Sequence, residues 1–421
     1  MVLNFFLMNL SKYQWLLVGL LLCYVIKVLT LHAGDFSVYY GAANDIRQGK
    51  PIYFVEYPVG DNNETCSYSY PPFFAMLLIP LSTLPLKISD ALWLLMNVFL
   101  LFRIFQIIDN QLDTHKYFST KTYRLWVFLV LLFTTRFILY NFDMSQTTIV
   151  LLWGCLESLD LTLKNRPVLS GFLLAAVISI KLMPLVLLPY FFYRRFFKTG
   201  FVTLIFLFLL NLTPSVFYGF DSYFSILNQW KSVINPIKTE FILEENRVME
   251  SAHSLSALVP SLLTDNVTRF GIKRNITVLP YQNVVFWLTM SQLFFIILTL
   301  FFLKTMPFVG ISDKKRLFYE VSYLLMIIPL IFPHQQKYAF VMLLPAVAFV
   351  WFEVLKQKQE GIILKNIIAL MVVVWLLTTA TTDGIIGRTL YEYGQYFKLI
   401  TWGTMLLVIA YGFMPIRRNV T

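Results

Sequence analysis

Cysteine and histidine are scarce in this chain, at 3 and 4 of 421 residues. Cys23 and Cys155 lie in apolar stretches and Cys66 in a loop. Three cysteines without C-x-x-C spacing exclude a complete disulfide framework and read as buried thiols. No H-E-x-x-H helix motif and no D-x-D triplet occurs, so no bound metal and no cofactor is expected. The Gly-rich loops that cradle nucleotide phosphates are missing, as is the G-x-S-x-G nucleophile turn. Charge is sparse as well. Asp, Glu, Lys and Arg make up 14% of the chain, against about 25% in soluble domains. That excludes an ordinary water-facing surface. Internal repeats and low-complexity tracts are lacking too.

What fills the chain instead is apolar. The hydrophobic share is 58%, against about 45–50% in soluble domains. These numbers describe an all-α polytopic membrane protein. The net charge of +11 does not call for nucleic acid. Arg194-Arg195, Lys314-Lys315-Arg316 and Arg417-Arg418 each follow an apolar segment, as cytoplasmic loops of membrane proteins do. The apolar run after Lys12 is too long for a signal-peptide core and has no small-residue cleavage site, so it reads as a retained helix.

A spanning helix takes about 20 apolar residues. The first candidate is about 13–33. An aromatic, acid-rich loop follows from Gly34 to Tyr70, suited to the outer face. The stretch 71–85 is apolar but short and carries Pro72, Pro80 and Pro85. If it spanned, Lys116, Lys121 and Arg124 would fall outside, so it reads as an interfacial helix on the outer side. Further helices are expected near 88–109, 124–140, 146–163 and 198–218, each about the length a bilayer needs. The stretch 167–192 is one long helix or two short ones meeting at Lys181. Basic flanks on both sides favour two, with Lys181 near the outer side. Beyond a polar outer loop, helices are expected near 281–303, 317–332, 337–355, 363–380 and 396–413. The count is roughly twelve spans with both termini cytoplasmic. The organisation is a transmembrane module 1–218 that includes outer loop 34–85, an outer loop 219–280, and a C-terminal transmembrane module 281–421.

This topology gathers polar residues on one side. Asp35 stands where the first helix leaves the bilayer, followed by Tyr39, Tyr40 and Tyr53. Gln146, Lys181, the 219–280 loop with Arg247, and the His334-Gln335-Gln336-Lys337 turn share that side. Charges at membrane depth are costly, which makes Lys181 and Arg136 functional candidates. Each also has a plain reading. Asp35 can cap the next helix, Lys181 can snorkel, and the tyrosines can be interface anchors. Arg247 can sit on a solvated loop, and His334 can be a neutral interfacial histidine.

An ordered set of motifs then resembles glycosyltransferase family 87. It runs Asp35-Phe36-x-x-Tyr39-Tyr40-x-Ala42-Ala43, Gly49-x-Pro51-Ile52-Tyr53 and Tyr70-Pro71-Pro72-Phe73, with Leu92-Trp93 and Asn97 beyond. Ser145-Gln146-Thr147-Thr148 stands where that family has Gly-Gln-x-Asn. Ser170-Gly171, Ile180-Lys181-Leu182-x-Pro184 and Tyr193-Arg194-Arg195 continue the likeness. In the second half, His253-Ser254-Leu255 and Phe332-Pro333-His334 to Lys337 match only in part.

The resemblance implies a C-type membrane glycosyltransferase (GT-C) fold with interfacial helices in a large first outer loop. It implies a mannosyltransferase-like, inverting hexosyl transfer from a polyprenyl-phosphate sugar to a glycolipid or lipid-linked glycan in the cell membrane. Asp35 would be the general base. Lys181, His334, Lys337 and Arg247 would face the lipid phosphate. Gln146 would bond sugar or phosphate, and Tyr39, Tyr40 and Tyr53 would stack on sugar. A competing reading of about twelve helices with few buried charges is a secondary transporter or lipid-linked-oligosaccharide flippase, although the two halves lack the inverted symmetry such proteins often carry.

Overall fold

The computed structural model describes residues 34–59, 64–234, 251–265, 271–303, 307–311, 313–333, 335–357 and 361–414. Arg247, His334 and the expected helix at 13–33 lie outside them. Among the described residues five helices are long and apolar enough to cross a membrane: Leu86–Leu112, Thr120–Asp143, Phe197–Tyr218, Tyr281–Leu303 and Lys337–Lys356. Ile362–Thr378 and Asp383–Tyr396, bent by 77°, make a sixth if taken as one span.

Local chemistry sets many of the helix ends. Leu86–Leu112 starts after Pro85 and stops at Asp113, whose φ of 53° is left-handed. Ser119 caps Thr120–Asp143 by accepting from the Thr122 N–H at 3.2 Å. Asp313 caps Lys314–Ile331 by accepting from Lys315 N–H at 3.0 Å. Pro167–Ile180 ends because Lys181 is extended (φ −155°, ψ 138°). Pro184 then has no N–H to offer the carbonyl four residues back. The chain resumes as Met183–Tyr193. Two short helices meeting at Lys181 is the arrangement the basic flanks favour.

The stretch after Tyr70 forms Pro72–Leu77 and Ile79–Ser82, helices of 6 and 4 residues. At about 1.5 Å per residue neither can reach across a hydrocarbon core of about 30 Å.

Packing divides the helices into centre and periphery. The Lys337–Lys356 window is 94% buried, whereas Phe197–Tyr218 and Tyr281–Leu303 are each 17% buried and turn apolar faces outward. Apolar area does little to bind helices to one another in lipid, so packing and polar ties do that work. Trp126 Nε1 donates to the Ala348 carbonyl at 2.9 Å, Trp375 Nε1 to Leu132 at 3.1 Å, and Thr379 Oγ1 to Phe133 at 2.6 Å. Arg103 grips Glu157 with both Nε (2.7 Å) and Nη2 (2.8 Å).

A denser knot is fully buried. Glu320 accepts from Arg194 Nε at 2.8 Å and Nη2 at 2.6 Å, from Arg316 Nε at 3.2 Å, and from Tyr190 OH at 3.0 Å. Arg194 and Arg316 also donate to the Leu303 carbonyl at 3.1 and 3.0 Å.

Three segments expected as loops carry structure. The first holds the helix Phe36–Arg47 and an antiparallel pair of strands, Glu56–Val59 with Glu64–Ser67, in register Glu56 to Ser67. The 219–280 stretch holds Phe220–Val233 and Leu255–Leu263. Thr381 to Gln395, read as a loop, is mostly the helix Asp383–Tyr396, kinked at Gly387 (φ 76°). Cys155 is buried as expected, while Cys66 is exposed on the second strand.

Candidate functional site

Asp35 sits at the N-cap of Phe36–Arg47, yet its side chain makes no capping bond. The capping reading therefore fails, and the carboxylate is free for another partner. That partner is Gln146, whose Nε2 donates to Asp35 Oδ2 in a short hydrogen bond. The amide's other end is fixed as well. Gln146 Oε1 accepts from Tyr39 OH and from Tyr70 OH, each at 3.2 Å. The two phenols lie 2.8 Å apart, within hydrogen-bond reach of each other. Two donors on Oε1 leave the N–H side of the amide to face the acid.

The backbone brings these groups together across 111 positions. Asp35 N–H donates to the Met144 carbonyl at 3.1 Å. Gly34 makes this close approach possible. Its φ is +47°, and a Cβ there would stand 2.8 Å from the Met144 carbonyl carbon and 2.9 Å from its oxygen. Replacing Gly34 with Ala is expected to push the Asp35 segment off the 143–144 turn. A displacement of about 1 Å at a reacting group costs on the order of 10²-fold. We expect a loss of at least about tenfold in turnover with a lowered melting temperature, read by a transfer assay and thermal unfolding.

On the other side of the contact, Ser145 adopts φ +47°, in the left-handed region. It stands where the resembled family carries Gly. Its side chain offsets the backbone cost: Oγ donates to Asp90 Oδ1 at 2.7 Å, and its carbonyl accepts from Trp93 Nε1 at 2.9 Å.

Lys181 faces this cluster from the break between Pro167–Ile180 and Met183–Tyr193. Its Nζ lies 5.1 Å from the Tyr70 ring centroid and 5.4 Å from that of Tyr338. It makes no hydrogen bond or ion pair with a described residue, and its charge acts on Asp35 from beyond ion-pair distance. Burial pushes the Asp35 carboxyl up to about 6, against the opposing pulls of the Lys181 charge and the Gln146 hydrogen bond. A half-buried acid tuned toward neutrality beside a cation without a direct partner is the pattern expected where a proton is taken and negative charge develops.

The other expected residues fall elsewhere. Tyr40 OH donates to the Leu84 carbonyl at 2.8 Å, tying its helix to the short helices after Tyr70. Tyr53 is 2% exposed and donates to the Tyr70 carbonyl at 2.7 Å, beneath the site rather than in it. Lys337 is buried, with Nζ hydrogen-bonded to Tyr391 OH and 4.4 Å from the Tyr140 ring centroid. Tyr140 stacks on Tyr338 (6.3 Å, 6°), the ring that Lys181 approaches, so ring contacts link Lys337 to Lys181.

Sequence reasoning placed Tyr70 only at a helix start and did not single out Tyr140, Tyr338 or Tyr391. Each is one tyrosine among 23, and only the fold distinguishes it. Among the described residues, no group of three His, Cys, Asp or Glu gathers to hold a metal. A family model described as glycosyltransferase family 87 matches residues 68–307. No curated protein and no solved structure matches the chain.

Proposed function

Because the chain belongs to glycosyltransferase family 87, a family of membrane glycosyltransferases, we propose that it moves a hexose from a polyprenyl-phosphate donor to a hydroxyl of a glycolipid or lipid-linked glycan, with Asp35 as general base. The observation that carries this reading is the uncapped Asp35 carboxylate, aligned by Gln146 and faced by Lys181. The acceptor oxygen attacks the anomeric carbon while Asp35 takes its proton. The bond from that carbon to the phosphate oxygen breaks, and the polyprenyl phosphate leaves with the electron pair. A single displacement of this kind inverts the anomeric centre. Lys181 supplies positive charge where the leaving phosphate gains negative charge, and fixed charge aimed there is worth about 10²–10³ in rate. Mannose is the sugar the resemblance favours. The positive-inside pattern of the loops supports a site on the outer face of a multi-pass chain with both termini cytoplasmic.

The test is transfer of label from a polyprenyl-phosphate sugar to lipid acceptors by the purified protein. Label that crosses the bilayer on the intact donor, without changing lipid, would sink this reading and support the flippase. The pH profile adds a second check. A base works ionised, so kcat/KM should fall as pH drops through about 6. Lys181→Met removes the charge that holds the acid down. The acid limb should then move upward while kcat falls.

A further inference from the structure

Two buried cations lie side by side, a few side chains away from Asp35. Arg136 and Lys337 are 9% and 7% exposed. Both lie against the ring of Tyr391, with Arg136 Cζ 5.9 Å and Lys337 Nζ 4.9 Å from its centroid. Arg136 Nη1 is used by the fold, donating to the Thr378 carbonyl at 2.5 Å and Thr381 Oγ1 at 2.7 Å. Arg136 Nη2 is buried with no hydrogen-bond partner among the described residues. Among the described residues Lys337 meets the Tyr391 hydroxyl and two ring faces.

Among the described residues no carboxylate comes within ion-pair distance of either cation. The acid whose charge acts on both is Asp383, which is exposed and accepts from the N–H of Gly384 at 3.0 Å. Burying two like charges together without a counter-ion is expensive, and an orphan donor adds to the cost. A bound anion removes both costs at once.

We infer that Arg136, Lys337 and Tyr391 form a phosphate-binding subsite that holds the headgroup of an anionic acceptor lipid. Assignment to the acceptor rests on the transfer reading above. The reacting carbon lies within about 3–3.5 Å of an acceptor oxygen that is itself in hydrogen-bond reach of Asp35. The leaving phosphate is therefore close to Asp35, where Lys181 acts. Lys337 lies against Tyr140, Lys181 lies against Tyr338, the ring on which Tyr140 stacks, and neither cation acts on the other's charge. A second anion at that distance belongs to the partner that stays bound through its own headgroup.

The test uses the full chain in neutral phosphatidylcholine nanodiscs. Short-chain phosphatidylglycerol and inorganic phosphate are titrated separately, with melting temperature as the readout. The lipid should bind saturably. Lys337→Gln, or Tyr391→Phe if the first fails to fold, should weaken it at least about tenfold, one charge-assisted contact being worth about 1.5–3 kcal/mol. Lys181→Met should leave its affinity within about twofold, a negligible free-energy change. No saturable binding, or binding undiminished in both variants, overturns the subsite. Equal stabilisation by inorganic phosphate overturns the lipid assignment. In turnover assays phosphatidylglycerol should raise the KM for acceptor and leave that for donor unchanged, and competition with donor instead overturns the acceptor assignment. Failure of all sugar transfer with lipid binding intact strikes the transferase reading separately.

Discussion

Asp35→Asn should lower the transfer rate by about 10²–10⁴-fold, the range for loss of a general base, while the protein folds and inserts as before. The substitution keeps an oxygen for the Gln146 amide to donate to, so the Asp35–Gln146 contact survives. Stability should hold or rise. A carboxyl held near 6 when folded, against 3.8 ordinarily, is favoured by the fold in its protonated form. That preference is fully present below about 3.8 and is lost as pH rises through about 6. At neutral pH the ionised acid is a burden on the fold that Asn does not carry. Turnover of labelled polyprenyl-phosphate sugar, measured beside thermal unfolding, separates the outcomes. Near wild-type turnover removes Asp35 from the chemistry. Lost turnover with a collapsed melting temperature makes it structural instead.

Glu320→Ala should be the most destabilising single change, at about 3–5 kcal/mol, the usual result of removing one partner from a buried ion cluster. Glu320 is fully buried and is the acceptor for Arg194, Arg316 and Tyr190. Without it two buried guanidiniums lose the carboxylate they share, although both still donate to the Leu303 carbonyl. Tyr190→Phe, which removes one hydrogen bond and no charge, should cost about 1 kcal/mol. Denaturant or thermal unfolding in detergent, with both variants side by side, tests the contrast. Equal losses would show that the charge contributes nothing beyond one hydrogen bond.

The helices most readable in the sequence are those whose ends are marked chemically. Tyr281–Leu303 follows Pro280 and precedes Lys304, and its bounds match the apolar run. The break at Lys181 was readable because Pro184 stands beyond it and basic residues flank both sides. Phe36–Arg47 was not readable. It carries Gly, Asn and Asp and is stabilised by burying Phe36, Tyr39 and Ile46 against later parts of the chain, a tertiary effect with no local signature. Asp383–Tyr396 was hidden by Gly384 and Gly387, which read as loop.

The site divides in the same way. Asp35, Tyr39, Gln146 and Lys181 were visible as motif positions. Tyr70 as a donor to Gln146, and the stack of Tyr140 on Tyr338, depend on pairings across 76 positions and more that no window of sequence contains.

The bond from Arg136 to the Thr378 carbonyl joins residues 242 positions apart. A ribosome adds about 5–20 residues per second, so roughly 10–50 s of synthesis separate the two groups. During that interval the guanidinium of a nascent helix has neither the carbonyl nor the Thr381 hydroxyl that will receive it. An Arg in an inserting helix costs up to about 2.5–3.5 kcal/mol, the value at the helix centre. The helix Thr120–Asp143 must therefore be held by its apolar residues, or wait beside the insertion machinery, until the last fifth of the chain emerges. A nascent chain stopped before Thr378 would keep Asp35 and Gln146 but leave Arg136 without its ceiling. Birth order thus makes the C-terminal helices the last support to reach a guanidinium made long before them.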